Sequence, residues 1–182
     1  MKEYRNCLLG LAIGAGLFCF QVPGLAKPSD PQSAGMEVKL MNKEKESVGT
    51  AKLRETPHGV LIHLTITKLP EGTHAFHIHE TGQCNPPDFK SAGGHLNPTK
   101  QKHGLLDPKG FHLGDLPNIH IVQNGKAEME IFVPEATLQQ DKKSLLDDDG
   151  ASLVVHEGQD DYKTDPAGDA GPRIACGTIE KS

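Results

Sequence analysis

The segment MEVKLMNKEKESVGTAKLRETPHGVLIHLTITKL at residues 36–69 decides the fold class. Apolar and polar residues alternate with a period of two in three parts of it, and polar turn residues at 43–46 and 56–59 separate these parts. A period of two places successive side chains on opposite faces of a β-strand. The segment therefore predicts three consecutive antiparallel strands.

The same alternation recurs in five further segments: HAFHIHE at 74–80, NIHIV at 118–122, KAEMEIFV at 126–133, ASLVVHE at 151–157 and RIACGTIE at 173–180. Asn124-Gly125 marks a tight hairpin between two of them. No segment has a helix-length period, so eight short strands predict an all-β barrel or sandwich. Two long segments, 81–117 and 157–172, lack the alternation, and loops of this length are usually functional or disordered.

Residues 1–26 have the pattern of a secretory signal peptide. Lys2 and Arg5 precede an apolar run at 7–20, and the tripeptide Gly24-Leu25-Ala26, with a small residue at each end, follows it. A membrane anchor is the competing interpretation, but the run is shorter than the roughly 20 residues that cross a bilayer. We therefore expect cleavage after Ala26 and no stable membrane anchor. Residues 27–34 are then a flexible polar tail, and 35–182 form the domain.

Charge and cysteine content limit the function classes. The formal net charge of −5 argues against nucleic-acid binding, because neutralising phosphates requires a basic surface. Removal of the signal peptide leaves only Cys84 and Cys176. In an oxidising compartment two cysteines predict one disulfide, and two buried free thiols are the alternative.

The histidines are the residues that indicate a chemical function. His77 and His79 are two residues apart on a predicted strand, so both imidazoles point to one face and can reach one ion. Alone, such a pair is more often a surface or packing pair. Further candidates follow along the chain, however: His95, His103, His112, Asp115 and His156. Imidazole suits copper and zinc, and three imidazoles with one carboxylate suit tetrahedral zinc.

Five motifs resemble those of the copper/zinc superoxide dismutases, in order and nearly at that family's spacing. They are HAFHIHETGQC at 74–84, GGHLNPTKQKHG at 93–104, FHLGDLPN at 111–118, LVVHEGQDD at 153–161 and GPRIACGTI at 171–179. The resemblance covers most of residues 34–181. The short segment from Glu157 to Pro172 looks like that of the exported bacterial enzymes. The resemblance implies an eight-stranded Greek-key barrel with two long functional loops.

The resemblance also implies roles for individual residues. Each subunit would bind one copper ion through His77, His79, His95 and His156, and one zinc ion through His95, His103, His112 and Asp115. His95 would bridge the metals and, with Arg173 beside copper, would act in catalysis. Asp160 would hydrogen-bond ligands of both metals. Cys84 and Cys176 match the family's disulfide within one subunit.

The implied function is dismutation of superoxide to molecular oxygen and hydrogen peroxide, which protects the cell envelope. The expected location is the periplasm, and secretion is the alternative. A non-enzymatic copper or zinc buffer or delivery protein is the competing function, but it would not need Arg173. The sequence leaves the oligomeric state open, a homodimer included. Candidate guides for the superoxide anion are exposed cations near the expected channel: Lys90, Lys100, Lys102 and Lys163.

Overall fold

Nine β-strands form the regular structure of residues 35–181, which are the residues that this computed structural model describes. They are β1 Met36–Asn42, β2 Ser47–Thr56, β3 Gly59–Ile66, β4 Gly72–His74, β5 Phe76–His79, β6 Ile119–Ile121, β7 Ala127–Pro134, β8 Ala151–His156 and β9 Arg173–Ile179. The same range contains one short 3₁₀ turn, Lys90–Ala92. The all-β prediction is confirmed. The predicted signal peptide and tail lie outside the described residues.

Seven strands form one antiparallel sheet in the order β5-β8-β9-β1-β2-β3-β7, and β4 pairs with β6 in a second, small sheet. β1, β2 and β3 pair in sequence order, whereas β9 returns to pair with β1 and β7 pairs with β3. The large sheet curls into a half-barrel. Neighbouring strands that are distant in sequence give the chain the long crossing connections expected of a Greek key.

The strand predicted at 74–80 is two strands in the structure. His74 ends β4, which pairs with β6, whereas Phe76 begins β5, which pairs with β8. Ala75 separates them, because its N–H donates to the Gly158 carbonyl and its carbonyl accepts from the His156 N–H. The chain therefore changes partners at Ala75 without losing its extended, alternating pattern, which explains why the sequence predicted eight strands.

The core lies under the inner face of the large sheet. In β3, the buried side chains Val60, Ile62, Leu64 and Ile66 alternate with partly exposed ones. Burying each such side chain stabilises the fold by about 1.5–3 kcal/mol. His63 lies on the outer face of β3, between Lys52 and Glu130 in register. It belongs to neither of the two sets of potential metal ligands described below.

Two long segments leave the sheet, at 80–118 and at 157–172. A disulfide between Cys84 and Cys176 ties the first segment to β9, with a Cα–Cα distance of 5.6 Å, and confirms the predicted pairing. Phe89 and Val154 pack with the buried Cys176 in a small apolar cluster apart from the main core. Within residues 35–181, no helix has the length and apolar character of a membrane span.

Candidate metal centre

Seven side chains form two overlapping sets of potential metal ligands. The first set is His77, His79, His95 and His156, and the second is His95, His103, His112 and Asp115. Within each set, one nitrogen or oxygen from every residue lies within 4.8 Å of the others. All seven residues are buried. The structure therefore brings together every residue that the sequence proposed as a ligand.

The sheet and the 80–118 segment supply these residues from different directions. His77 and His79 lie on β5, and His156 ends the neighbouring strand β8. The long segment runs beside β5, where Asp115 pairs with His77 and His95 pairs with His79 in isolated bridges. The inherent alternation of β5 thus aims both of its histidines at the passing segment.

Close approach of that segment to β5 depends on Gly114. The Ile78 N–H donates to the Gly114 carbonyl at 2.9 Å, and a Cβ on Gly114 would overlap the Ile78 carbonyl oxygen. Only a residue without a side chain fits there. Gly114 therefore determines how near Asp115 can come to the histidines of the strand.

Hydrogen bonds orient the rings of the four-histidine set. His79 donates from Nδ1 to the Gly93 carbonyl at 3.0 Å, and His156 donates from Nδ1 to the Gly171 carbonyl at 3.1 Å. These bonds place the proton on Nδ1 and leave a lone pair on Nε2. The two Nε2 atoms lie 3.4 Å apart and face the centre of the set.

Two further nitrogens at this centre have no hydrogen-bond partner. They are Nδ1 of His77 and Nε2 of His95, and both are buried. An unpaired buried polar atom costs about 1–3 kcal/mol, so such atoms require an explanation. A cation bound by their lone pairs would satisfy both. Four imidazole nitrogens are a donor set that suits copper.

The second set is organised around the carboxylate of Asp115. Its Oδ1 lies 2.8, 3.0 and 3.1 Å from the Nδ1 atoms of His95, His103 and His112. Its Oδ2 accepts from the backbone N–H groups of Gly104 and His112. The backbone thus fixes one oxygen and leaves the other facing three nitrogens. Three imidazoles and one carboxylate fit tetrahedral zinc.

Asp160 touches a member of each set. Its Oδ2 accepts from Nε2 of His77 at 2.8 Å, and its Oδ1 accepts from Nε2 of His103 at 3.0 Å. Burial acts to raise the pKa of Asp160, but hydrogen bonds from His103 and His77 outweigh it and hold that pKa well below the usual range. The carboxylate is therefore ionised at neutral pH and orients both rings.

The pKa values of three buried histidines differ according to their surroundings. Burial lowers the pKa of His95 to about 4 and that of His156 to about 3, so both rings are neutral and keep a free lone pair at pH 7. Burial opposes charge on His103 too, but hydrogen bonds to Asp115 and Asp160 outweigh it and raise its pKa to about 9. These carboxylates thus hold a proton on His103, and a metal ion binding at Nδ1 would take the place of that proton's positive charge.

Arg173 begins β9 opposite His156 and lies beside the four-histidine set. Its half-buried guanidinium donates from Nη1 to the Phe89 carbonyl and from Nη2 to the Gly93 carbonyl, both at 2.6 Å. The pKa of His79 is well below its ordinary value. Burial is the largest cause, followed by the charge interaction with His95 and then by that with Arg173. A permanent cation at this place can attract an anion to the set.

Gly93 connects the histidine set to Arg173. Its carbonyl accepts from both His79 and Arg173, and its φ of +74° is in the region that favours glycine. A Cβ at this position would lie 2.7 Å from Oε1 of Glu80. Gly93 lies within the motif at 93–104, but no role is predictable for it from the sequence, because a backbone acceptor has no signature of its own.

The remaining histidines and the candidate lysines lie outside both sets. His74 is buried, with its ring nitrogens 2.9 and 3.1 Å from the His156 and Pro70 carbonyls, so it supports the site without joining it. His58 and His120 are exposed. Lys102 pairs with Asp165 at 2.7 Å, and Lys90 pairs with Asp88 at 3.2 Å. Guidance of an anion by lysines stays a prediction.

Comparison with known proteins identifies similar sequences. The family described as copper/zinc superoxide dismutase matches residues 47–179. Superoxide dismutase (Cu-Zn) 1 of Aquifex aeolicus is 47% identical over 171 residues, which cover 93% of this chain and 96% of the relative. The superoxide dismutase-like protein YojM of Bacillus subtilis is 38% identical over 171 residues, with 86% and 87% covered.

Solved structures of similar fold agree with these sequences. A SOD-like protein from Bacillus subtilis aligns with a TM-score of 0.77 and 39% identity, over 80% of this chain and 99% of that one. The Cu/Zn superoxide dismutase from Brucella abortus aligns with a TM-score of 0.66 and 31% identity, over 81% and 100%. The alignments include nearly all of each relative.

Proposed function

Since the chain belongs to the copper/zinc superoxide dismutase family, we propose that its two overlapping sets of side chains hold the copper and zinc of this enzyme. The chain is an oxidoreductase that converts superoxide to molecular oxygen and hydrogen peroxide with copper and zinc as cofactors. When bound, copper supplies one-electron redox chemistry, and zinc, which has none, supplies fixed positive charge.

One observation carries the assignment of ligands: His95 belongs to both sets. Its Nδ1 lies 2.8 Å from the Asp115 carboxylate, and its buried Nε2 has no partner. An imidazole can offer both nitrogens to cations only after losing both protons. We assign copper to His77, His79, His95 and His156, and zinc to His95, His103, His112 and Asp115.

The protein's own groups meet the two other needs of the reaction. Two superoxide anions and two protons give one oxygen molecule and one hydrogen peroxide molecule. Arg173 binds the anion, since its charge is permanent and two carbonyls fix its orientation. Nε2 of His95 can hold a proton next to the bound anion and pass it to the product. A buffer or delivery protein would leave Arg173 without a role.

The direct test is metal analysis combined with a dismutation assay on the exported, disulfide-bonded protein. We expect one copper and one zinc ion per chain and activity that requires copper. Loss of copper on dialysis should abolish activity, and added copper should restore it. Protein with both metals at full occupancy and no dismutation would contradict the proposed function.

Replacing Arg173 with alanine should lower kcat/KM by at least tenfold, which corresponds to about 1.4 kcal/mol. The substitution removes the cation beside the copper-assigned histidines and none of the ligands. Steady-state rates at measured copper content test this. Arg54→Ala is the matched control, because Arg54 lies on β2, far along the sheet from β5. An unchanged rate at full copper occupancy would rule out the role of Arg173.

We also propose that the protein is exported and acts on superoxide in the periplasm of its bacterium. The disulfide and the signal-peptide pattern ending at Ala26 support this location. The mass of protein from its native compartment should match residues 27–182 with no free thiol. A mass matching 1–182, or two thiols that react with an alkylating agent, would contradict it. Sedimentation of the same sample distinguishes a monomer from a homodimer.

A further inference from the structure

Tyr162 lies in the 157–172 segment, two residues after Asp160. We propose that Tyr162 is a positioning residue for zinc: it holds Asp160 and the segment from Gly104 to Asn118 in the geometry that the zinc ligands require. The inference rests on the proposed function, since it takes the set around Asp115 as the zinc site.

Tyr162 makes three hydrogen bonds to three different places in the chain. Its hydroxyl oxygen accepts from the Asn118 N–H at 2.7 Å, and its carbonyl accepts from the Leu106 N–H at 3.1 Å. Its own N–H donates to Oδ1 of Asp160 at 2.7 Å. Side chain, carbonyl and amide of one residue therefore join the two long segments.

These contacts lie close to the zinc ligands on both sides. Leu106 follows His103 by three residues, and Asn118 follows Asp115 by three. Tyr162 thus holds the chain three residues after His103 and again three residues after Asp115. Gly104, next to His103, lies so close to Tyr162 that a Cβ there would overlap the Tyr162 carbonyl oxygen.

Asn118 closes a ring of contacts with Asp160. Its Oδ1 accepts from the Asp160 N–H at 2.8 Å, and its Nδ2 donates to the Asp160 carbonyl at 2.9 Å. Tyr162 holds the Asn118 backbone, so it acts on Asp160 both directly and through Asn118. The carboxylate of Asp160 in turn accepts from His103 at 3.0 Å. A shift at Tyr162 would therefore reach a zinc ligand through two paths.

The backbone of Tyr162 indicates that its place is determined by these contacts. Its φ is +64°, in the left-handed region that residues with a bulky side chain rarely adopt. Such a conformation persists only where surrounding contacts hold it. The three hydrogen bonds are contacts of this kind.

The test compares Tyr162→Phe with Thr164→Val in the copper-loaded, disulfide-bonded protein. The first removes only the hydroxyl that accepts from Asn118. The second removes a hydroxyl of the same segment that bonds only locally, to Asp161. Zinc affinity is measured by competition with a chelator, and cobalt(II) bound in the zinc position serves as a spectroscopic probe of ligand geometry.

Tyr162→Phe should weaken zinc binding about fivefold, the change expected for loss of one hydrogen bond, and should alter the cobalt spectrum. Thr164→Val should match the unmodified protein in both measurements, and copper content should stay the same in all three. Equal zinc affinity and equal cobalt spectra in the two variants would overturn the inference.

A measurement on the unmodified protein gives a test that does not depend on the folding of a variant. Hydrogen exchange at the Asn118 amide should slow when zinc binds, because the bond to the Tyr162 hydroxyl tightens with the site. Equal exchange with and without zinc would overturn the inference alone. Failure of the unmodified protein to bind zinc or cobalt would overturn it together with the proposed function.

Discussion

Replacing Asp115 with asparagine should weaken zinc binding by at least a hundredfold and leave the chain folded. Asp115 is the one carboxylate among the zinc-assigned residues, and its Oδ1 lies within 3.1 Å of three histidine nitrogens. An amide there removes the negative charge that offsets the cation. At saturating metal, a hundredfold loss of affinity corresponds to about 2.7 kcal/mol less stabilisation of the folded state.

Calorimetry with and without zinc, together with zinc stoichiometry, tests this expectation. The unmodified protein should melt at a higher temperature with zinc, and Asp115→Asn should lose most of that difference. Asp107→Asn is the control, since Asp107 belongs to the same segment and accepts from the Lys109 amide instead. Stoichiometric zinc and an unchanged melting temperature in Asp115→Asn would refute our assignment of the zinc ligands.

Removal of the disulfide by the double substitution Cys84→Ser and Cys176→Ser should have the largest effect on stability. The bond closes a loop with a sequence separation of 92 residues. On the chain-entropy model, a disulfide that closes a loop of this length stabilises the folded state by about 4.5 kcal/mol, because the bond restricts the unfolded chain. Cys176 is also buried, so a serine hydroxyl there adds a desolvation cost.

The same substitution should reduce activity even at full copper loading. Cys84 packs against the small cluster that contains Phe89, and the Phe89 carbonyl holds Arg173. Loosening that cluster displaces the guanidinium from the copper-assigned histidines. Urea unfolding and kcat/KM at measured copper content are the readouts. The control is the unmodified protein with its disulfide chemically reduced. A loss of stability below about 1 kcal/mol would contradict the prediction.

The periodicity of the sequence was sufficient to predict the strands but not all of their partners. The segments before residue 70 correspond to β1, β2 and β3, because one face of each is buried and the other is partly or fully exposed. At 74–80 the alternation continues through Ala75, although the chain moves there from one sheet to another. A pattern of side chains carries no information about which backbone groups pair.

The candidate site likewise consists of side chains that the sequence identifies and backbone groups that it does not. Histidines and carboxylates carry their chemistry in the side chain, so the resemblance of their motifs to those of a known family was enough to propose all seven ligands, together with Asp160 and Arg173. The groups that orient them are mostly backbone atoms, such as the Gly93, Gly171 and Phe89 carbonyls. Tyr162 acts partly through its side chain, but its partner is the backbone amide of Asn118. Only a folded structure reveals such partners.

The shared acceptor at Gly93 also affects motion within the enzyme. One carbonyl oxygen accepts from His79 and from Arg173, so a displacement of this backbone carries the histidine and the guanidinium in the same direction. A metal held by His79 and an anion held by Arg173 would then keep their separation when this backbone moves. Because electron transfer weakens steeply with distance, a constant separation would favour a constant reaction rate.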